Sequence, residues 1–161
     1  MRMAGSRAER DDRVRWALDL VGLSAFANHY PHQLSGGMQQ RVNLARAIAT
    51  MPQVLLMDEP FGSLDAITRE QMQGELLRIR SATACTVVFV THDISEALFL
   101  SDRVVVMTER PGRVRSVLGS PFERPRSGDI KRTPGFIELE GDLWQMLQPS
   151  SENLLDHREP L

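Results

Sequence analysis

The chain has 161 residues, of which 42% are hydrophobic and 25% charged, a composition typical of a globular protein with a sizeable core. Its net charge of -2 disfavours a nucleic-acid-binding surface, so we expect no nucleic-acid partner. Its purely apolar runs are far shorter than the roughly 18 residues of a membrane span, and its polar start lacks a secretory-signal pattern. We therefore predict a soluble, cytoplasmic chain.

The first third of the chain has helical periodicity. Apolar side chains from Val14 to Leu23 recur at helical spacing, and Gly22 is suited to the end of that helix. A second helix is predicted to begin at Ser35 and to end before Pro52. Its apolar residues recur every three or four positions: Met38, Val42, Ala45 and Ala49.

Strands then alternate with helices. The segment from Val54 to Met57 is too short for a helix, and its unbroken apolar character predicts a strand buried on both faces. Asp65 can cap a helix that ends near Arg80, and residues 86–90 predict a second buried strand. The inward side chains of the intervening helix are predicted to be Met72, Leu76 and Ile79. This order predicts an α/β fold, a parallel sheet with helical crossovers.

The last third combines a hairpin with an irregular segment. Asp93 and Glu96 have capping-box spacing for a helix through Leu100. Residues 104–107 and 114–118 predict a C-terminal antiparallel hairpin at the edge of the sheet, with a type II turn at Pro111-Gly112. Residues 120–161 are predicted to be a Pro/Arg-rich linker, a short amphipathic helix and a tail after Pro149. The apolar face of that helix is Phe136, Leu139, Leu143 and Leu147.

Two adjacent glycines mark the start of the second predicted helix. In Ser35-Gly36-Gly37, the serine can cap the helix and the glycines let a ligand come close to the backbone. The unpaired N–H groups of the first turn and the helix dipole favour an anion such as a triphosphate. The alternative interpretation of these three residues is an ordinary Ser-capped helix after a glycine turn.

Four short motifs follow one another between Leu34 and Asp93. They are Leu34-Ser35-Gly36-Gly37-Met38-Gln39-Gln40-Arg41, Val54-Leu55-Leu56-Met57-Asp58-Glu59-Pro60, Ser63-Leu64-Asp65 and Thr91-His92-Asp93. In this order they resemble the signature, Walker B, D-loop and H-loop motifs of the ATP-binding subunits of ABC transporters. The resemblance covers residues 10–118 and implies a partial P-loop NTPase fold. Residues 1–51 would then be the helical signature subdomain, and 52–119 the core from Walker B to the hairpin.

The resemblance implies a role for each motif. Asp58 would help hold Mg²⁺ through water, Glu59 would orient and partly deprotonate the attacking water, and His92 would contact the γ-phosphate. The implied cofactors are ATP and Mg²⁺. The signature residues would bind the nucleotide of a second subunit: Ser35, Gly36, Gly37 and Met38. The D-loop residues are Ser63, Leu64 and Asp65.

Three segments look most like importers of the nitrate, sulfonate and taurine type: residues 58–69, 90–103 and 110–114. Such subunits pair head to tail, drive a membrane permease and depend indirectly on a solute-binding protein. The resemblance therefore implies a cytoplasmic ATPase held at the inner face of the cell membrane through its permease. Because the solute contacts lie on other proteins, the solute class is an analogy.

One expected motif does not occur. The sequence contains no G-x-x-x-x-G-K-[ST] phosphate loop, and Lys131 is its only lysine. We therefore expect the C-terminal part of an ABC ATPase domain, inactive by itself. The alternative is a non-catalytic module that supplies its signature loop in trans to an intact ATPase. A DNA-repair ATPase of the ABC class is disfavoured because no heptad stretch for a coiled coil is present.

Overall fold

A computed structural model describes residues 6–83 and 85–148, which form two compact units divided between His92 and Asp93. The predicted α/β class is confirmed, and the predicted tail after Pro149 lies outside the described residues. The first unit contains α1 (Arg7–Leu20), α2 (Gly36–Ile48), β1 (Val54–Asp58), α3 (Ala66–Ala82) and β2 (Thr86–Val90). The second contains α4 (Ile94–Leu100), β3 (Arg103–Met107), β4 (Val114–Gly119) and α5 (Pro134–Leu147). Short 3-10 helices lie at Ser24–Phe26, Pro31–Gln33 and Gly128–Arg132.

Helix α1 begins seven residues before the apolar periodicity does. Ser6 and Glu9 form a reciprocal capping box: the Glu9 N–H donates to the Ser6 hydroxyl, and the Ser6 N–H donates to the Glu9 carboxylate at 2.6 Å. The hydrogen bond from the Ser6 backbone lowers the pKa of Glu9 below its ordinary value. The first two turns of this helix are polar and exposed, so apolar spacing does not reveal them.

Helix α1 is terminated by Gly22, as predicted. Gly22 has a φ of 70°, in the left-handed region. The Leu23 N–H donates to the Leu18 carbonyl at 2.8 Å, and the Gly22 N–H donates to the Asp19 carbonyl at 2.9 Å. This pair of bonds is a Schellman motif, which satisfies carbonyls that have no partner within the helix.

The two strands of the first unit are parallel, as predicted. β1 pairs with β2 from Val54 opposite Thr86 to Asp58 opposite Val90, and α3 is the crossover between them. Leu55 of β1 lines one cavity of 210 Å³ together with Leu44 of α2 and other residues. The three side chains of α3 that were predicted to face inward are all buried: Met72, Leu76 and Ile79.

The prediction that β1 is buried on both faces is wrong, and so is the prediction that β2 is a buried strand. Leu56 is 74% exposed, and Val54, Val88 and Val90 are each about half exposed. Successive side chains of a strand point to opposite faces, so α2 and α3 cover only the face that carries Leu55. The unbroken apolar run therefore predicted correctly that these residues form a strand. It did not predict that, over the described residues, the second face of the strand is exposed.

The second unit contains the predicted antiparallel hairpin, with Val105 of β3 opposite Val117 of β4. Over the described residues the hairpin is a two-stranded sheet of its own. The predicted type II turn is wrong, because that turn needs a positive φ at its glycine and Gly112 does not have one. Instead, Thr108 closes the loop: its hydroxyl oxygen accepts the Arg113 N–H at 3.0 Å.

Two arginines tie the irregular segment after β4 to the end of α4. Arg126 has only 1% of its side chain exposed. Arg124 also forms an ion pair with Asp102 at 2.7 Å. Between them the two guanidinium groups donate to the carbonyls of Leu98, Phe99, Leu100 and Ser101. The last carbonyls of a helix have no partner within it, so these arginines act as its C-terminal cap.

Two glycine substitutions should change stability in opposite directions. Gly22→Ala places a Cβ in the left-handed region and should cost about 1 kcal/mol of unfolding free energy. Gly74→Ala is the matched control: Gly74 lies inside α3 with open space around it, so alanine should gain about 0.5–1 kcal/mol. Urea unfolding followed by circular dichroism measures both, and a Gly22→Ala variant as stable as the parent chain would contradict the assigned Schellman motif.

Candidate functional site

The chain turns sharply at the end of β1. Asp58 is the last residue of the strand, and Glu59 has a φ of 44°, which is uncommon for a residue with a side chain. The Glu59 N–H still donates to the Val90 carbonyl of β2 at 3.0 Å. This bond holds the turn against the end of the neighbouring strand, so the Glu59 carboxylate leaves the sheet at the edge where β2 also ends.

The structure brings the two predicted catalytic residues together at this edge. His92 Nδ1 lies 2.8 Å from Glu59 Oε1, although the residues are 33 positions apart. The side chain of His92 is 82% exposed and that of Glu59 is 40% exposed. Asp58 is exposed beside them. The pair therefore lies where a water molecule and a phosphate can reach it, and a carboxylate bonded to an imidazole is suited to proton transfer.

The predicted anion-binding loop begins α2 as the sequence indicated. Ser35 is the N-cap, and its hydroxyl accepts the Met38 N–H at 3.3 Å. The two glycines occupy the first helical positions, and Gly36 has nothing within 4 Å of the position that a Cβ would take. The preceding turn is closed locally, with the Tyr30 N–H bonded to Gln33 Oε1 at 2.8 Å. The backbone at Gly36 is thus accessible to a ligand.

A cleft of 550 Å³ joins this loop to the segment before α3. Its lining includes all seven residues assigned to two separate motifs: Ser35, Gly36, Gly37, Met38, Ser63, Leu64 and Asp65. Asp58, Glu59 and His92 lie at the strand ends and are not part of that lining. The site residues predicted from the sequence therefore fall into two groups within the first unit.

Comparison with known proteins decides the family. Residues 1–62 match the family described as ABC transporter. The chain is 50% identical over 160 residues to the taurine import ATP-binding protein TauB of Rhizobium johnstonii, a match that covers 96% of this chain and 61% of that protein. It is 47% identical over 145 residues to the nitrate import ATP-binding protein NrtC of Synechococcus elongatus, covering 89% of this chain and 22% of that protein. This chain belongs to the ABC transporter ATP-binding family.

A solved structure agrees with this family. The dimeric structure of MJ0796, a bacterial ABC transporter cassette, matches with a TM-score of 0.57 at 39% identity, over 76% of this chain and 52% of that chain. The predicted family and its P-loop NTPase fold class are thus confirmed. The chain spans less than two thirds of the length of these relatives. Within residues 6–83 and 85–148, no helix is long and apolar enough to cross a membrane.

Three residues of this ABC domain had no functional role in the sequence interpretation. Gln40 Nε2 donates to the Pro60 carbonyl at 2.5 Å and so ties the signature helix α2 to the turn after Glu59. Arg41 donates to the Val21 carbonyl at 3.2 Å. Thr68 lies in the first turn of α3, against the signature loop. Gln40 and Arg41 belong to the signature motif, and this could have pointed to them. Nothing in the sequence singled out Thr68.

The D-loop aspartate is held in its ionised form. The Thr68 hydroxyl and the Thr68 N–H both bond to the Asp65 carboxylate and lower its pKa below the ordinary value, with a further contribution from the Ile67 N–H. These are the bonds of an N-cap, because Asp65 accepts the first free N–H groups of α3. The D-loop and the start of α3 are therefore a single hydrogen-bonded unit.

The Asp65 cap should make stability sensitive to acid. Because its pKa is lower in the folded chain, ionised Asp65 contributes stability that is fully present above the ordinary aspartate pKa. That contribution is lost as the pH falls through the lowered pKa. Unfolding measured against pH should therefore show the parent losing stability relative to Asp65→Asn on acidification below the ordinary aspartate range. Parallel curves for the two proteins would contradict the assignment.

Proposed function

We propose that this chain acts as the ATP-binding and ATP-hydrolysing subunit of an ABC importer for a small solute. The observation that carries the proposal is the 2.8 Å contact between Glu59 and His92 at the end of a β1–α3–β2 unit. The similarity to taurine and nitrate import proteins supports a small anionic or zwitterionic solute of the nitrate, sulfonate or taurine class. The solute would contact other subunits, since this chain carries the energising chemistry.

Asp58, Glu59 and His92 at the ends of β1 and β2 form the acidic edge of the first unit, and in this proposal it performs the hydrolysis step. Glu59 is the general base that orients and partly deprotonates the attacking water, and His92 holds the Glu59 carboxylate in place at 2.8 Å. His92 is exposed enough to contact the γ-phosphate at the same time. The exposed Asp58 carboxylate fits a hydrated Mg²⁺, which prefers oxygen ligands and keeps several waters. When bound, Mg²⁺ would neutralise charge on the phosphates.

The signature loop would act on the nucleotide of a second subunit in a head-to-tail pair. Ser35 caps α2, and the open backbone at Gly36 presents N–H groups to the γ-phosphate without a side chain in between. The solved cassette MJ0796 is dimeric, which supports such a pair. The further partners in this proposal are membrane permease subunits and, indirectly, a solute-binding protein. They would hold the chain at the cytoplasmic face of the cell membrane.

One observation favours a second candidate function. All seven signature and D-loop residues line one cleft, while the sequence contains no phosphate-loop motif. The chain could therefore present its signature loop in trans to an intact ATPase without hydrolysing ATP itself. Both functions require an intact ATPase subunit, loaded with MgATP, to bind to this chain. Hydrolysis that depends on Glu59 is required only by the first, so turnover by a complete cassette separates them.

By itself the 161-residue chain should not turn over ATP. Phosphoryl transfer depends on positioning the triphosphate and stabilising its charge, and the sequence has no G-x-x-x-x-G-K-[ST] loop to do so. Release of inorganic phosphate from MgATP should thus be equal for the parent chain and for Glu59→Gln. A parent rate clearly above that of the variant would contradict the prediction.

In a complete cassette Glu59 should be essential for turnover. Such a cassette can be made by joining this chain to the part of the taurine import relative that it does not match. Glu59→Gln keeps the size of the side chain but is a very poor base, so turnover should fall by about 10²- to 10⁴-fold while ATP binding is retained. Glu70→Gln, an exposed carboxylate on α3, is the matched control and should hydrolyse ATP at the parent rate. Equal rates for all three proteins would refute the catalytic role.

A further inference from the structure

The two signature glycines have different surroundings. A Cβ added to Gly36 would meet no atom within 4 Å, whereas a Cβ added to Gly37 would lie 3.0 Å from Cγ2 of Thr68. Carbon atoms in contact prefer separations of about 3.5–4.0 Å. The Thr68 methyl group thus occupies the space that a side chain at position 37 would need. A side chain at Gly37 would therefore press on Thr68, whereas a Cβ at Gly36 would meet open space.

Thr68 is held in the orientation that makes this contact. The Asp65 carboxylate accepts a hydrogen bond from the Thr68 N–H at 3.0 Å, which fixes the backbone of Thr68 at the start of α3. Threonine is β-branched and has few χ1 rotamers in a helix, so a fixed backbone restricts the direction of the methyl group. The D-loop aspartate therefore holds the residue whose methyl group meets the first turn of the signature helix.

The signature helix is also held by residues beyond its first turn, which restricts how it could yield to an added side chain. Gln40 bonds to the Pro60 carbonyl, directly after Glu59. Arg41 bonds to the Val21 carbonyl and pairs with Glu75 of α3 at 3.6 Å. Helix α2 is thus tied at two points beyond its first turn. A clash at Gly37 would have to be relieved by moving Thr68 or the signature loop itself.

We propose that Thr68 is a positioning residue for the signature loop, acting through Gly37. In this arrangement Asp65, Thr68 and Gly37 form a mechanical link from the D-loop to the signature loop within one chain. Gly36 is then the glycine that leaves room for the partner's nucleotide, and Gly37 is the glycine that lets the loop close on α3. The inference deepens the proposed function and rests on that function for the role of the signature loop. The packing contact between Gly37 and Thr68 rests on the geometry alone.

The packing contact can be tested in the 161-residue chain by rescue. Gly37→Ala should shift the unfolding equilibrium about tenfold or more towards the unfolded state, as overpacking does. Thr68→Ser removes the methyl group but keeps the hydroxyl for Asp65, so the double variant should recover most of that loss. Gly36→Ala is the matched control, and its effect should simply add to that of Thr68→Ser. Equal losses for Gly37→Ala with and without Thr68→Ser would overturn the contact.

The positioning role needs a second readout, the MgATP-dependent association of the chain with the full-length taurine import relative. Gly37→Ala should weaken association several-fold, and the added Thr68→Ser should restore it. Gly36→Ala should weaken association without any rescue by Thr68→Ser. If Gly37→Ala regains stability in the double variant but not association, Thr68 is structural only and the proposal fails. If the parent chain shows no MgATP-dependent association, the proposed function fails instead, and the stability rescue alone decides the contact.

Discussion

The parallel pairing of β1 with β2 is the constraint from which the acidic edge of the first unit follows. Parallel strands end at the same side of a sheet, and the register places Asp58 opposite Val90. The Glu59 N–H extends the pairing by one bond to the Val90 carbonyl. Two residues 33 positions apart, Glu59 and His92, therefore meet at 2.8 Å without any long loop to position them. The left-handed backbone at Glu59 then turns its carboxylate out of the strand.

The second group of site residues depends on helix caps instead of strand ends. Ser35 begins α2 and Asp65 begins α3, and the two helix starts lie on one cleft. Caps satisfy backbone N–H groups, but here they also bring two ABC motifs into contact, because the residue bonded to Asp65 is the one packed against Gly37. The hydrogen bonds that cap α3 therefore also hold a residue that lines the cleft beside the signature loop.

The second unit shows how a polar segment can pack without periodicity. Arg126 is almost fully buried, and its guanidinium group bonds to the carbonyls of Leu98, Phe99 and Ser101 at the end of α4. An arginine has five N–H donors in a fixed geometry, so one side chain can satisfy several carbonyls. A Pro- and Arg-rich composition suggested a linker, yet these bonds hold the segment against α4. Lys131 adds a cation–π contact with Phe99, 4.5 Å from its ring centroid.

From the sequence alone the order of the main helices and strands, the caps of α2, α3 and α4 and the four motifs could be predicted, because those signals lie within a few neighbouring residues. Ser35, Asp65 and Asp93 begin their helices as expected. Tertiary structure alone decided which face of β1 is buried, that Glu59 touches His92, and that Gly37 rather than Gly36 lies tightly against Thr68. Each of these outcomes depends on atoms from distant parts of the chain, whose distances are set only when helices and strands pack together.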